Sequence, residues 1–356
     1  MIKLKNDRFL KTIWGQPVDV TPIWIMRQAG RYLPEYRLVR QRAGDFMKLC
    51  KTPELACEVT LQPIHRFSLD AGIVFSDILT IPDAMGLGLH FIEGQGPRFE
   101  KKLRSVHDIK ALGVPDPETH LGYVLETIRL VQHELDGKVP LIGFCGSPWT
   151  LATYMVEGQA NKTFPMIQSM LREEPAALHV LLNLLAVAVQ AHLNAQIKAG
   201  VQAVMLFDTW GGLLGDTHYR DFSLHYIQQV IAGLWRTYDE QRIPVLLFTK
   251  NGGQWLEWIA ETGCDVIGVD WHVHLGDARK RVNKIALQGN MDPAILSQSP
   301  EHIQQAVQRI LEEYGTGSGH VFNLGHGITP DVQPEQVAIL VDAVHTLSRP
   351  YHQKGE

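Results

Sequence analysis

Eight short apolar runs, rich in β-branched residues and bounded by turn-forming ones, constrain this chain more than any other feature. They cover residues 20–26, 71–75, 140–145, 203–207, 244–248, 266–269, 284–288 and 321–324. Almost none alternates apolar with polar positions, which is the pattern of parallel strands covered on both faces. The intervening stretches 53–67, 118–135, 175–199, 219–238, 255–261, 300–314 and 334–347 carry helical spacing, and five of them open on or just after a proline. Eight buried strands alternating with helices predict a closed (β/α)8 barrel, the TIM-barrel form of the α/β class. No Pro/Ser-rich linker, low-complexity tract or repeat divides the sequence, so residues 1–356 read as one domain. Such barrels routinely exceed about 250 residues.

Loop insertions are expected at one end of the barrel. Residues 78–103 hold Gly86-Leu-Gly88 and Gly94-Gln-Gly96, which predict a β-hairpin flap between the second strand and the next helix. Gly315-x-Gly317-x-Gly319 precedes a strand, whereas a dinucleotide-binding fingerprint follows one and opens a helix; it reads as a helix-to-strand loop.

Charge narrows the partners. The net charge is −5 and the pI about 6.3, which argues against nucleic acid, whose binders show a basic field over a whole face. The most apolar segment, 176–200, is interrupted by His179, Asn183, Gln190, His192 and Asn194, so it reads as a buried helix and not a membrane span. Cys50, Cys57, Cys145 and Cys264 lack metal-site or disulfide-scaffold spacing, and Met1 to Arg8 turns polar within a few positions. A cytoplasmic protein in a reducing compartment is expected.

An anionic ligand must therefore meet a local basic patch, and residues 27–42 supply one: five arginines, no lysine and a single acid, Glu35. A planar, permanently charged guanidinium suits the fixed docking of carboxylates or phosphates. In a barrel the reactive groups lie on the loops after the strands. Those positions hold Arg27 and Arg31, Ser76-Asp77, Gly146 to Tyr154, Asp208-Thr209-Trp210, Lys250-Asn-Gly-Gly, Asp270-Trp-His272, Gly289 to Asp292, and Gly325-His326-Gly327. Polar, aromatic and glycine residues thus collect at one rim.

The segments Met26-Arg-Gln-Ala-Gly-Arg-Tyr32, Phe75-Ser-Asp-Ile-Leu79, Gly143 to Leu151, Tyr154-Met-Val-Glu-Gly158, Gln288-Gly-Asn-Met-Asp-Pro293 and Phe322-Asn-Leu-Gly-His-Gly327 resemble the uroporphyrinogen decarboxylase family over nearly the whole chain. The resemblance implies a somewhat distorted single (β/α)8 barrel, a homodimer, and no metal or organic cofactor. It implies a carboxy-lyase of haem and chlorophyll biosynthesis that removes carbon dioxide from the four acetates of uroporphyrinogen III, giving coproporphyrinogen III. Substrate-binding arginines then fall at Arg27, Arg31 and Arg40, with Arg27 also a candidate general acid or proton relay. A central aspartate that accepts from the macrocycle NH groups falls at Asp77, and polar contacts to the side chains at Tyr154, Thr209 and His326. Some relatives carry serine in place of Thr209, which keeps the hydroxyl.

Plainer readings stand beside these. Asp77 at a strand end suits a helix N-cap, Arg37 and Arg42 suit a solvated helix face, and His326 between glycines suits a backbone contact. His272 and His274 have the spacing of barrel metal ligands but no evident third ligand, so a structural role is expected. Two other functions compete with decarboxylation: a metal-dependent, cobalamin-linked methyltransferase of the same fold, and a non-catalytic tetrapyrrole carrier.

Overall fold

Seven of the eight runs form one parallel sheet in the computed structural model, which describes residues 3–353 apart from 93 and 162. The strands are β1 (Gly72–Ile73), β2 (Leu141–Gly146), β3 (Ala203–Asp208), β4 (Val245–Thr249), β5 (Val266–Gly268), β6 (Ala286–Met291) and β7 (His320–Leu324). They lie side by side in chain order, each parallel to the next. Every residue of β3, β4, β6 and β7 is buried, which explains the missing alternation. Period-two geometry still sorts the side chains. Ala203, Met205 and Phe207 of β3 join Leu246 and Phe248 of β4 in an inner core, while Val204, Leu206, Val245 and Leu247 face the helical layer. Phe9 and Ile13, on the helix Arg8–Ile13, belong to the same inner core and plug its lower end.

The eighth run departs from expectation. Residues 20–26 form no regular strand; one parallel bridge, Ile23 to Phe322, stands in its place. Phe322 donates its N–H to Pro22 O at 2.8 Å, and on the other side Asp70 donates to Ile23 O at 2.8 Å. Side chains then take over the ladder's work. Asp70 Oδ2 accepts from Ile23 N at 2.8 Å, Gln28 Oε1 from Ile25 N at 3.1 Å and Asn323 Oδ1 from Met26 N at 3.0 Å. Pro22 has no N–H to give, so a continuous ladder is impossible there. The segment nevertheless links β7 to the edge beside β1 and closes the barrel.

Helices Pro53–Arg66, Pro175–Ala199, Pro300–Tyr314 and Pro334–Leu347 follow their predicted spans closely. Two others are shorter. The helix expected over 118–135 occupies Gly122–Leu135, after a separate turn Pro117–His120 capped by Asp116. The one expected over 219–238 ends at Ala232, because Asn194 captures Gly233 O and Trp235 N, and Thr237–Tyr238 turns back on Gln241–Arg242 as a small hairpin. Its turn residues Asp239 and Glu240 both have positive φ, as tight hairpin turns require.

The flap is present. Leu89–Ile92 pairs antiparallel with Gly96–Phe99, and Phe91 reaches the rim through Phe46, which in turn packs edge-on to Phe75. Pro175–Ala199 is the one helix among the described residues long and apolar enough to cross a membrane, and more than half of its apolar window is buried inside the protein. All four cysteines are buried and free.

Candidate active site

Arg27 leaves the closing segment in a left-handed conformation, φ 65°, within a tight turn in which Gln28 N donates to Ile25 O at 2.9 Å. Its side chain then runs across Gly327. A Cβ on that glycine would lie 2.4 Å from Arg27 Cδ, so the Gly-His-Gly loop after β7 is shaped by the arginine it carries.

Pairing separates the arginines of this stretch by role. Arg42 is bound to Glu58, and Arg37 donates Nη1 to Arg31 O at 2.9 Å; both are exposed on the helix Pro34–Ala43, the solvated face expected of them. Glu35, the only acid of the stretch, is taken by Arg66 at 3.1 Å. Arg27, Arg31 and Arg40 have no carboxylate partner among the described residues. Arg27 and Arg31 are exposed and Arg40 half-buried. Positive charges left without an acidic partner favour an anionic ligand.

Asp77 faces them from the loop after β1. Oδ1 accepts the Leu79 N–H at 2.8 Å, so the capping role is real but occupies one oxygen only. Oδ2 has no partner among the described residues. The residue is half-buried, with its carboxylate closely surrounded by protein. Burial pushes its pKa up to about 6, against the pull of the Leu79 N–H and the Arg27 charge.

Tyr154 comes from the helix Pro148–Glu157, whose Ser147 cap accepts from Thr150 N. Burial raises its pKa to about 12, with Asp77 adding to the rise and the Trp210 contact and Arg27 opposing it. The phenol is therefore a standing O–H donor. His326 follows β7, half-buried, with Phe248 and Trp271 edge-on at 6.2 and 6.4 Å between ring centroids. Burial first, then the charges of Arg27 and Lys250, push its pKa down to about 4, so the ring is neutral at physiological pH. The expected backbone bond to His326 is not among its contacts. Thr209 is half-buried at the end of β3 with its hydroxyl unpartnered among the described residues.

These groups share one electrostatic neighbourhood: Arg27 acts on Asp77, Tyr154 and His326, and Asp77 on Tyr154. Arg40 and Asp77 both act on the buried Cys50, which ties the second arginine to the same rim. Beneath lie aromatic rings at the top of the inner core, Phe144, Phe207 and Phe248, edge-to-face at 5.6 and 6.4 Å.

Asp208 was visible in the sequence as a strand-end acid without a role. It is fully buried and accepts from Ser147 Oγ at 2.6 Å, Ser223 Oγ at 2.9 Å, Thr249 Oγ1 at 3.2 Å and Thr150 Oγ1 at 3.4 Å. Thr150 Oγ1 accepts Trp210 N at 3.2 Å, so this one carboxylate braces the Tyr154 helix and the Thr209–Trp210 loop together. His274 caps the helix Leu275–Arg281 and His272 lies against Trp271; both are exposed. Among the described residues no group of three or more His, Cys, Asp or Glu is placed to hold a metal ion. A concavity of about 500 Å³ on the outer layer, between His179, Arg220 and Trp258, is separate from this rim.

The family model described as uroporphyrinogen decarboxylase (URO-D) matches residues 4–347. A protein of Nitrosococcus oceani named uroporphyrinogen decarboxylase is 63% identical over 353 residues, covering 99% of both chains. One of the same name from Klebsiella pneumoniae is 60% identical over 354 residues, covering 99% of this chain and 100% of its own. Among solved structures, a methyltransferase from Methanosarcina mazei superposes with a TM-score of 0.81 over 96% of this chain and 98% of its own, at 20% identity. That likeness is one of fold.

Proposed function

The chain belongs to the uroporphyrinogen decarboxylase family, and we propose that its rim residues Arg27, Arg31, Arg40, Asp77, Tyr154, Thr209 and His326 bind the macrocycle and carry its decarboxylation. The enzyme is a carboxy-lyase that converts the four acetates of uroporphyrinogen III to methyl groups. Unpaired arginines facing a half-free, half-buried carboxylate are the observation that carries the site assignment.

The reaction needs an electron sink, and the substrate contains one. Protonation of a pyrrole ring carbon gives an iminium-like cation beside the acetate carbon. Cleavage of the bond to the carboxylate releases carbon dioxide, and the electron pair flows into that cation. The exocyclic carbon then takes up a proton and the ring carbon gives one back, so each turnover consumes one proton. No external redox partner enters this balance, and activity is expected to survive dialysis against a chelator.

The protein's tasks follow. Arg31 and Arg40 hold carboxylates in fixed pose, which is the positional part of the rate gain. Asp77 accepts from the pyrrole NH groups and stands opposite the developing cation, where a preorganised charge in a partly dry site is most effective. Its unused Oδ2 is the oxygen free for this. Arg27 lies within electrostatic reach of Asp77 and His326 and is placed to hold the reacting carboxylate; it is also the candidate proton relay. Tyr154 and Thr209 offer hydroxyls to the side chains, and neutral His326 can either accept or donate. The aromatic floor gives the macrocycle an apolar bed.

We read the chain as one catalytic domain, a reading supported by the span of the family match, and expect a cytoplasmic homodimer; light scattering on the purified protein tests the assembly. The decisive experiment is anaerobic incubation with uroporphyrinogen, with chromatographic counting of carboxylates, for the native protein and Asp77→Asn. Loss of carboxylates in the first and not the second is expected. Equal loss in both removes Asp77 from the chemistry.

A further inference from the structure

We infer that Lys250 is a further substrate-binding residue, receiving a carboxylate of the macrocycle on the β4 side of the rim, across from the arginine clamp. The inference rests on the rim being the substrate site.

Lys250 is the first residue after β4, and its main chain is fixed from three sides. Its N–H donates to Asp208 O at 3.3 Å, while its own carbonyl packs so closely on Gly212 that a Cβ there would lie 2.3 Å away. The next residue, Asn251, holds a left-handed φ of 57° and donates its N–H to Asp270 Oδ2 at 2.5 Å. The stem therefore starts from a braced position on the ends of three strands.

Its ammonium is left unused by the protein. Lys5, Lys11, Lys51, Lys198 and Lys280 each pair with a carboxylate. Lys250, though half-buried, has none among the described residues. Nζ stands 6.0 Å from the centroid of the Trp210 ring, at the outer edge of cation–π range, so the ring compensates little of the charge. The same indole lies 6.0 Å from Tyr154, which puts the ammonium at the edge of the candidate site. Arg27 and Lys250 both act on His326, so two cations lie within electrostatic reach of one imidazole, which packs edge-on to Phe248.

Two unpaired cations within reach of one neutral ring define a place for an anion. Arg27 shares its neighbourhood with Asp77, where the reacting acetate must lie. Lys250 lies by Trp210 and acts on His326 but is not among the charges that act on Asp77, so the carboxylate it takes belongs to a side chain that survives that turnover. Its role is to fix which acetate faces Asp77.

The test is anaerobic steady-state kinetics with uroporphyrinogen for Lys250→Met, Lys250→Arg and Asp77→Asn, with thermal unfolding of each. Loss of one charge-assisted hydrogen bond predicts a KM raised about tenfold or more in Lys250→Met, with kcat changed less than about threefold. Lys250→Arg, which keeps the charge, is expected to recover most of that loss. Unchanged KM in Lys250→Met, with Asp77→Asn inactive, overturns the role of Lys250 alone. Equal KM defects in the Met and Arg variants together with lowered unfolding temperatures overturn it in favour of a structural role. Full activity in Asp77→Asn removes the rim reading on which it rests.

Discussion

Two aspartates flank the short strand β1, and they are treated oppositely. Asp70, just before it, is 1% exposed and saturated: Asn6 Nδ2 donates at 2.9 Å, Arg8 Nη1 at 3.4 Å and Ile23 N at 2.8 Å, and His345 Nε2 lies 2.8 Å from Oδ2. Asp77, beyond it, has a single backbone N–H and an idle oxygen. A buried charge with a full set of partners ties the N-terminal segment, the barrel seam and the last long helix together. A half-buried charge left short of partners has an oxygen free for a ligand, the role proposed for Asp77. The bottom of the barrel thus serves stability and the top serves chemistry, a division general to this architecture.

The sharpest way to break this contrast is to exchange what each aspartate does. Asp70→Ala strands several donors and removes the acceptor for Ile23 N, so it should cost about 3–5 kcal/mol in denaturant unfolding. A loss under about 1 kcal/mol would mean the seam does not depend on it. Asp77→Asn should lower kcat by about 10²–10³-fold. Its effect on stability has the other sign. The folded pKa of about 6 lies above the ordinary 3.8, so the ionised carboxylate strains the fold at neutral pH, and stability rises as pH falls from about 6 toward 3.8. Removing that charge should stabilise the protein by on the order of 1–3 kcal/mol at pH 7, read as a higher unfolding midpoint.

The same shift sharpens the pH profile. Activity should fall as pH drops through about 6, where Asp77 gains its proton, while His326, titrating near 4, stays neutral over that range. An acid limb near 4 instead would assign the essential anion elsewhere. Arg31→Ala should raise KM about tenfold through loss of a charge-assisted contact. Arg42→Ala removes only an exposed pair with Glu58 and should change stability by less than about 1 kcal/mol and leave KM unaltered.

Much of this was legible in the sequence because two signals were strong. Continuous apolar runs marked seven strands within a few residues, since strands buried on both faces leave no polar positions to blur them. The arginine-rich stretch suggested an anion site, yet composition alone could not tell Arg31 from Arg42; what separates them is whether a distant acid such as Glu58 folds back to pair. Helix Pro148–Glu157 went unseen because all of its residues are buried, which erases the helical period, although Ser147-Pro148 is a sound start signal. Asp208 and Lys250 were seen at strand ends without roles, because one depends on hydroxyls from three other elements and the other on the absence of any partner. Neither condition has a local signature.

The barrel seam carries a consequence for the order in which the protein becomes competent. Met26 is held by Asn323, 297 residues away in sequence, and Arg27 lies along Gly327 on the same late segment. Contacts of such separation form only after the intervening chain has been made and its loop closed. A chain still on the ribosome carries Arg27 early in synthesis, but the Gly327 backbone along which its side chain lies arrives only after β7. The proposed site is thus complete only once the last strand has joined the seam.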